Sequence, residues 1–203
     1  AGLFYTRASS DGFQDKAFDM QDFMVKAGMA LGDNQWLGAK FTYYENDANI
    51  SYRGLFLGEY NAGAEYNPAP DDYFLTERKS LDLNHMWEIR PGMSLNTVVY
   101  WSEMYRDYWR FAIDNAASTA AGSWVYTNAV NGNNRAFDRI GLDSRLTVAN
   151  QLFGMTGEAE IGVRVMQEEM VDQGIAATRA NPRTGTITSD RIDTATSYAL
   201  FAQ

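Results

Sequence analysis

The chemistry of this chain has to be sought in a few places: the adjacent Glu168 and Glu169, the lone His85, and the run "LNTVVYWSEMYRDYWRF" at positions 95–111. That run holds three tyrosines, two tryptophans and a phenylalanine, interrupted by Glu103, Arg106, Asp107 and Arg110. Bond-making chemistry finds little support. Side by side on a strand, Glu168 and Glu169 point to opposite faces, so they do not form an acid/base pair. His85 shares its parity with Leu83 and Trp87, which suits interfacial packing better than metal ligation. Cysteine is absent, which removes disulfides, thiol nucleophiles and Cys-based zinc sites. The "NGNN" and "RTGT" stretches read as turns, with no following helix to make a phosphate loop. No enzyme constellation is present. Tyr and Trp instead combine an apolar body with a polar tip, the chemistry of half-wet surfaces.

Composition narrows the partners. The chain has 203 residues, a formal net charge of -9 and a pI of about 4.6, with 12 Tyr and 5 Trp. This acidic balance argues against a nucleic-acid binder, which concentrates Lys and Arg. The opening "AGLFYTRASSDG" lacks the pattern of a signal peptide. The longest uncharged stretch, residues 115–134, is rich in Asn, Ser, Thr and Gly, so it reads as a polar loop and not as a spanning helix.

The elements that must position these residues announce themselves by a period of two. Phe23, Val25, Ala27, Met29 and Leu31 fall on one parity, with Asp22, Met24, Lys26 and Gly28 on the other. After "GDNQ", Leu37, Ala39, Phe41 and Tyr43 alternate with Lys40 and Thr42. The same alternation runs through 80–89, 95–102, 140–148 and 158–165, so each segment predicts a strand with one apolar and one mostly polar face. Tight turns are expected around 32–35, 90–93 and 152–157, and long loops over 46–77, 107–137 and 168–193. About eight strands of 12–14 residues follow, counting partial ones at 1–8 and 195–203. Short turns on one side and long loops on the other predict an all-β, transmembrane antiparallel β-barrel. A soluble β-sandwich also alternates, but its strands average about 5–6 residues.

The stretches "YYENDANISYRGL", "EYNA", "NPAPDDYF", "LDLNHMWEI" and "YWSEMYRDYWRF" resemble TonB-dependent outer-membrane receptors, most of all the ferric-citrate-type siderophore receptors. The resemblance covers nearly the whole chain and rests on pattern and spacing, not on a single signature. It implies about eight strands of a 22-stranded barrel, with residues 1–203 all in the barrel domain and the N-terminal plug domain absent from them. It implies location in the outer membrane of a Gram-negative bacterium. The implied function is active uptake of a ferric siderophore or ferric carboxylate chelate, with no cofactor of the protein's own. The implied partners are the chelate, outer-membrane lipid and the TonB complex acting through the plug. The final Gln203 departs from the aromatic ending usual for complete bacterial barrels.

An anionic chelate would be complemented by cationic and aromatic side chains at the barrel mouth. The resemblance therefore singles out Arg106, Tyr108, Trp109 and Arg110, with Tyr52, Arg53, Tyr73, Arg78, Arg135 and Arg139 as further candidates; Arg106 and Arg110, flanking "DYW", lead. The acidic "NPAPDDYF" counts against a strongly anion-attracting mouth in its own region. Asp22, Lys26, Lys40, Asp82, Asp143, Arg145, Glu160 and Arg164 are expected on the lumen side, paired across strands or touching a plug. Two other readings stay open. A complete eight-stranded barrel requires residues 1–8 to pair with 195–203. A soluble carbohydrate-binding β protein requires a closed apolar core.

Overall fold

A computed structural model describes the backbone of all 203 residues and every side chain except that of Leu152. Eight strands follow in chain order: β1 (Gly2–Ser10), β2 (Phe18–Ala30), β3 (Gln35–Asn49), β4 (Tyr73–Arg90), β5 (Met93–Ile113), β6 (Tyr126–Leu152), β7 (Met155–Thr178) and β8 (Asn181–Ala202). Each pairs antiparallel with the next, in one sheet ordered as in the sequence. Two short helices interrupt the connections, α1 (Leu57–Asn61) and α2 (Asn115–Ala121).

Cross-strand register sorts the side chains into rows. Leu83, Val99, Leu142 and Val165 form one row, and Leu81, Trp101 and Ile140 the row above it. All of these side chains but the half-buried Trp101 remain exposed, Leu83 at 42% and Ile140 at 51%. Among the described residues no second layer packs on them. Among the described residues, buried hydrophobic ones are few, namely Ala69, Trp109, Phe111 and Val130. A closed core, as the soluble reading requires, is not what this sheet has. The apolar face needs lipid, or another apolar cover, to satisfy it.

The apolar belt is bounded by register. On β6 it runs from Ile140 to Val148, about 26 Å along the strand at ~3.3 Å per residue. With a tilt of about 40° that spans ~20 Å, close to the ~25 Å band of membrane barrels. Just above it the same face turns acidic, at Glu103, Asp138 and Glu169. Aromatic tips mark the boundary: Trp101 donates through Nε1 to Asp138 at 2.9 Å, and Tyr105 donates to Glu103 at 2.7 Å. Inside the belt, Thr97 and Ser144 satisfy each other's hydroxyls at 2.8 Å, and His85 bonds Gln35 at 2.9 Å.

The opposite face is polar, and its charges pair within and across strands. Lys40 meets Asp82 at 2.8 Å, and Asp143 lies between Arg145 and Arg164 at 2.8 and 2.6 Å. Glu160 is 3.7 Å from Arg145. Large rings on either face lie over glycines of the neighbouring strand. A Cβ on Gly132 would come within 2.6 Å of the Trp109 ring.

The three tight turns form where expected. Gly32, Gly92 and Gly154 adopt positive φ in them, a conformation glycine takes at little steric cost. The long loops need correction. Residues 46–49 and 73–77 are strand, as are 107–113 and 126–137, so the first two connections shrink to 50–72 and 114–125. The third, expected over 168–193, is a short turn between Thr178 and Asn181. Strand lengths are corrected too: β6 has 27 residues and β7 has 24. Above the belt neither face has to be apolar, so alternation fades while the backbone ladder continues. Nor is 115–134 all loop. Asp114 caps the N-terminus of α2 by accepting from Ala117 at 2.9 Å, Gly122 ends it in the left-handed region, and β6 follows.

The sheet does not close on itself. Residues 1–8 pair only with β2 and residues 195–203 only with β7, so the eight-stranded closed barrel is not formed.

Candidate functional site

Above the belt, the polar face gathers arginines. Arg106 on β5 is directly opposite Arg135 on β6, which is opposite Asp172 on β7, which is opposite Arg191 on β8. One row up stand Tyr108 and Asn133; one row down stand Arg78, Met104, Phe137 and Asp193. Arg135 contacts Asp172 at 3.1 Å. Arg191 is 3.6 Å from Asp172 and 2.9 Å from Asp193. Arg106 donates to Asn133 at 3.2 Å, while its buried Nε finds no partner in the protein. Like charges placed directly opposite each other across strands are destabilising. Among the described residues, Arg78, Arg106 and Arg110 have no carboxylate within 4.0 Å. The row therefore holds guanidinium donors that the protein leaves partly unsatisfied.

Aromatic rings frame this row. The Arg110 guanidinium lies 4.9 Å from the centre of the Tyr108 ring and 5.4 Å from that of Tyr52. Tyr108 packs edge-on against Phe74 at 5.8 Å. Tyr52 comes from the β3–β4 connection and is 69% exposed. Lower on the same face, a hollow of about 770 Å³ is lined by Arg78, Met104, Phe137, Arg139 and Glu168, among others.

The ten residues singled out from the sequence thus divide. Arg78, Arg106, Tyr108, Arg110, Arg135 and Arg139 share the polar face, and Tyr52 reaches Arg110 from the connection. Arg139 sits lower and is paired with Glu168 at 2.7 Å. Trp109 and Tyr73 fall on the opposite parity. Trp109 is 2% exposed and packs with Phe111 and Val130, while the ring of Tyr73 lies 3.9 Å from the Arg183 guanidinium. Arg53 is buried against Asp72. Arg191, Asp172 and Asn133 belong to the cluster but were missed, because they lie where alternation had faded. Period two on β5 already separates Tyr108 from Trp109.

Comparison with known proteins supports the fold. No family model matches the sequence, and no curated protein matches it. Among solved structures it is similar to the ferric citrate transporter FecA in its unliganded form, with a TM-score of 0.80 at 14% identity, covering 98% of this chain and 29% of that one. It is also similar to the ferric-catecholate import receptor Fiu from E. coli K12 in its open form, with a TM-score of 0.75 at 14% identity, covering 98% of this chain and 36% of that one. The chain is an all-β antiparallel sheet with the fold of part of each of these two chains. It spans about a third of the length of either neighbour.

Proposed function

We propose that this sheet is part of the wall of a TonB-dependent outer-membrane receptor that takes up a ferric chelate bearing carboxylates. The observation that carries the reading is the opposed pair Arg106 and Arg135, flanked by Arg78, Arg110 and Arg191, on the face away from the apolar belt. Planar guanidinium forks match carboxylates in a bidentate way. The likeness to a ferric citrate transporter supports the receptor kind, and the surplus of unpaired arginines supports an anionic cargo. On this reading residues 1–203 belong to one barrel domain, the polar face looks into the lumen, and the belt meets outer-membrane lipid. The plug and its contact with TonB are supplied by other parts of the receptor. The protein binds and passes its cargo on; it breaks no bond.

The test is equilibrium binding of radiolabelled ferric citrate to the detergent-purified protein. Replacing Arg106 by Ala removes charge-assisted bonds worth about 1.5–3 kcal/mol, a loss of roughly tenfold to over a hundredfold in affinity. Unchanged affinity in Arg106→Ala and Arg110→Ala, or equal competition by a cationic iron complex, would sink the proposal.

A further inference from the structure

The connection between β3 and β4 delivers Tyr52 to Arg110, and the next residue, Arg53, is buried against Asp72. Its side chain is 4% exposed and that of Asp72 is 0% exposed. Arg53 Nη1 donates to both oxygens of Asp72 at 3.1 and 3.0 Å, and Nη2 donates to the Phe111 carbonyl at 2.5 Å. Asp72 Oδ1 also accepts from the Phe111 N–H at 3.0 Å, and Oδ2 from Ser51 at 2.7 Å. Phe111 lies where β4 has already stopped, at Tyr73 opposite Trp109, and where the β5–β6 register shifts. The two side chains thus take up the backbone groups that a longer β4 would have paired. Asn49 fixes the other end of the connection, donating to the carbonyls of Pro70 at 2.7 Å and Asp72 at 2.9 Å.

A buried ion pair is weak evidence for stability, because desolvation offsets the attraction; fixing one arrangement among several is its better-attested use. Here the pair fixes where one loop residue must go. The Tyr52 ring lies 5.7 Å from the Arg53 guanidinium and 5.4 Å from that of Arg110. We infer that Arg53 and Asp72 are positioning residues: the pair pins the β3–β4 connection to Phe111 so that Tyr52 covers Arg110 and orients it for the anionic cargo. This rests on the reading of that face as an anion site. Arg53 itself has no access to the cargo and acts through Tyr52.

Two measurements on the detergent-purified protein test this, in Tyr52→Ala, Arg53→Lys and the double variant. Lysine keeps the charge but loses the fork that holds Asp72 and Phe111 together. The first measurement is ligand-free: the rate at which an arginine-selective dicarbonyl reagent modifies Arg110, mapped by mass spectrometry. Both single variants are expected to speed it by the same factor, with no further gain in the double. The second is ferric citrate affinity. Each single change is expected to weaken it about fivefold, the size of one cation–π contact, and the double no more than one single. Should Arg53→Lys fail to fold, Asp72→Asn, which keeps the acceptor for Phe111 N–H, takes its place with the same expectation. Wild-type reactivity of Arg110 in the pin variant overturns the inference. So does a double variant whose affinity loss multiplies to about 25-fold, which would mark Arg53 and Tyr52 as independent. Absence of ferric citrate binding by the wild type would refute the cargo, while the labelling result still decides the pin.

Discussion

Placing an arginine at position 142 and then at position 138 tests the belt directly. Leu142 and Asp138 point to the same face of β6, four residues apart, so neither change disturbs the polar face. Leu142 lies inside the apolar belt, in the row of Val99 and Val165, and Asp138 lies in the first acidic row above it. Four residues at ~3.3 Å and a tilt of about 40° separate them by ~10 Å of depth. An arginine near the midplane of such a barrel costs about 2–4 kcal/mol, and near the interface about 0–1 kcal/mol. Leu142 lies about halfway between the upper edge of the belt and its middle, so Leu142→Arg is expected to be less stable than Asp138→Arg by about 1–3 kcal/mol, roughly fivefold to 150-fold in the folding equilibrium. Reversible urea unfolding in lipid vesicles, followed by tryptophan fluorescence, measures the difference. An arginine tolerated equally at both positions would refute a lipid-facing belt. So would a larger cost at Asp138 than at Leu142.

Further outcomes follow from particular contacts. Gly132→Ala is expected to cost about 1–3 kcal/mol in the same unfolding assay, because the added Cβ meets the buried Trp109 ring at 2.6 Å and Trp109 has no room to retreat; a neutral result would mean that the ring moves freely. In the β3–β4 connection, the hydrogen bond to Glu59 pushes the Tyr66 phenol up to about 12. Its folded value lies above the ordinary one, so its contribution to stability is complete below pH ~10 and fades as pH rises from there through about 12. Ultraviolet titration should show a tyrosine ionising near pH 12 that Tyr66→Phe removes; an unaltered titration curve would assign that behaviour elsewhere.

Much of the architecture could be read from the chain alone, because it depends on neighbours in sequence. The alternation of Leu, Val and Ile with Lys, Asp and Thr assigned two faces to each strand, since successive side chains must point to opposite sides. "GDNQ", "RPGM" and "LFGMTG" fixed the tight turns, since only certain residues accept their backbone angles. Arg106 and Arg110 stood out from the same run of letters. The tertiary structure alone decided how far the strands continue beyond the belt, because there a ladder of backbone hydrogen bonds replaces the apolar pattern. It alone set Arg135 against Arg106, brought Arg191 and Asp172 beside them, and drew Arg53 inward to Asp72 while Tyr52 turned to Arg110. Those placements follow from register between strands far apart in the chain, and no local pattern of residues encodes it.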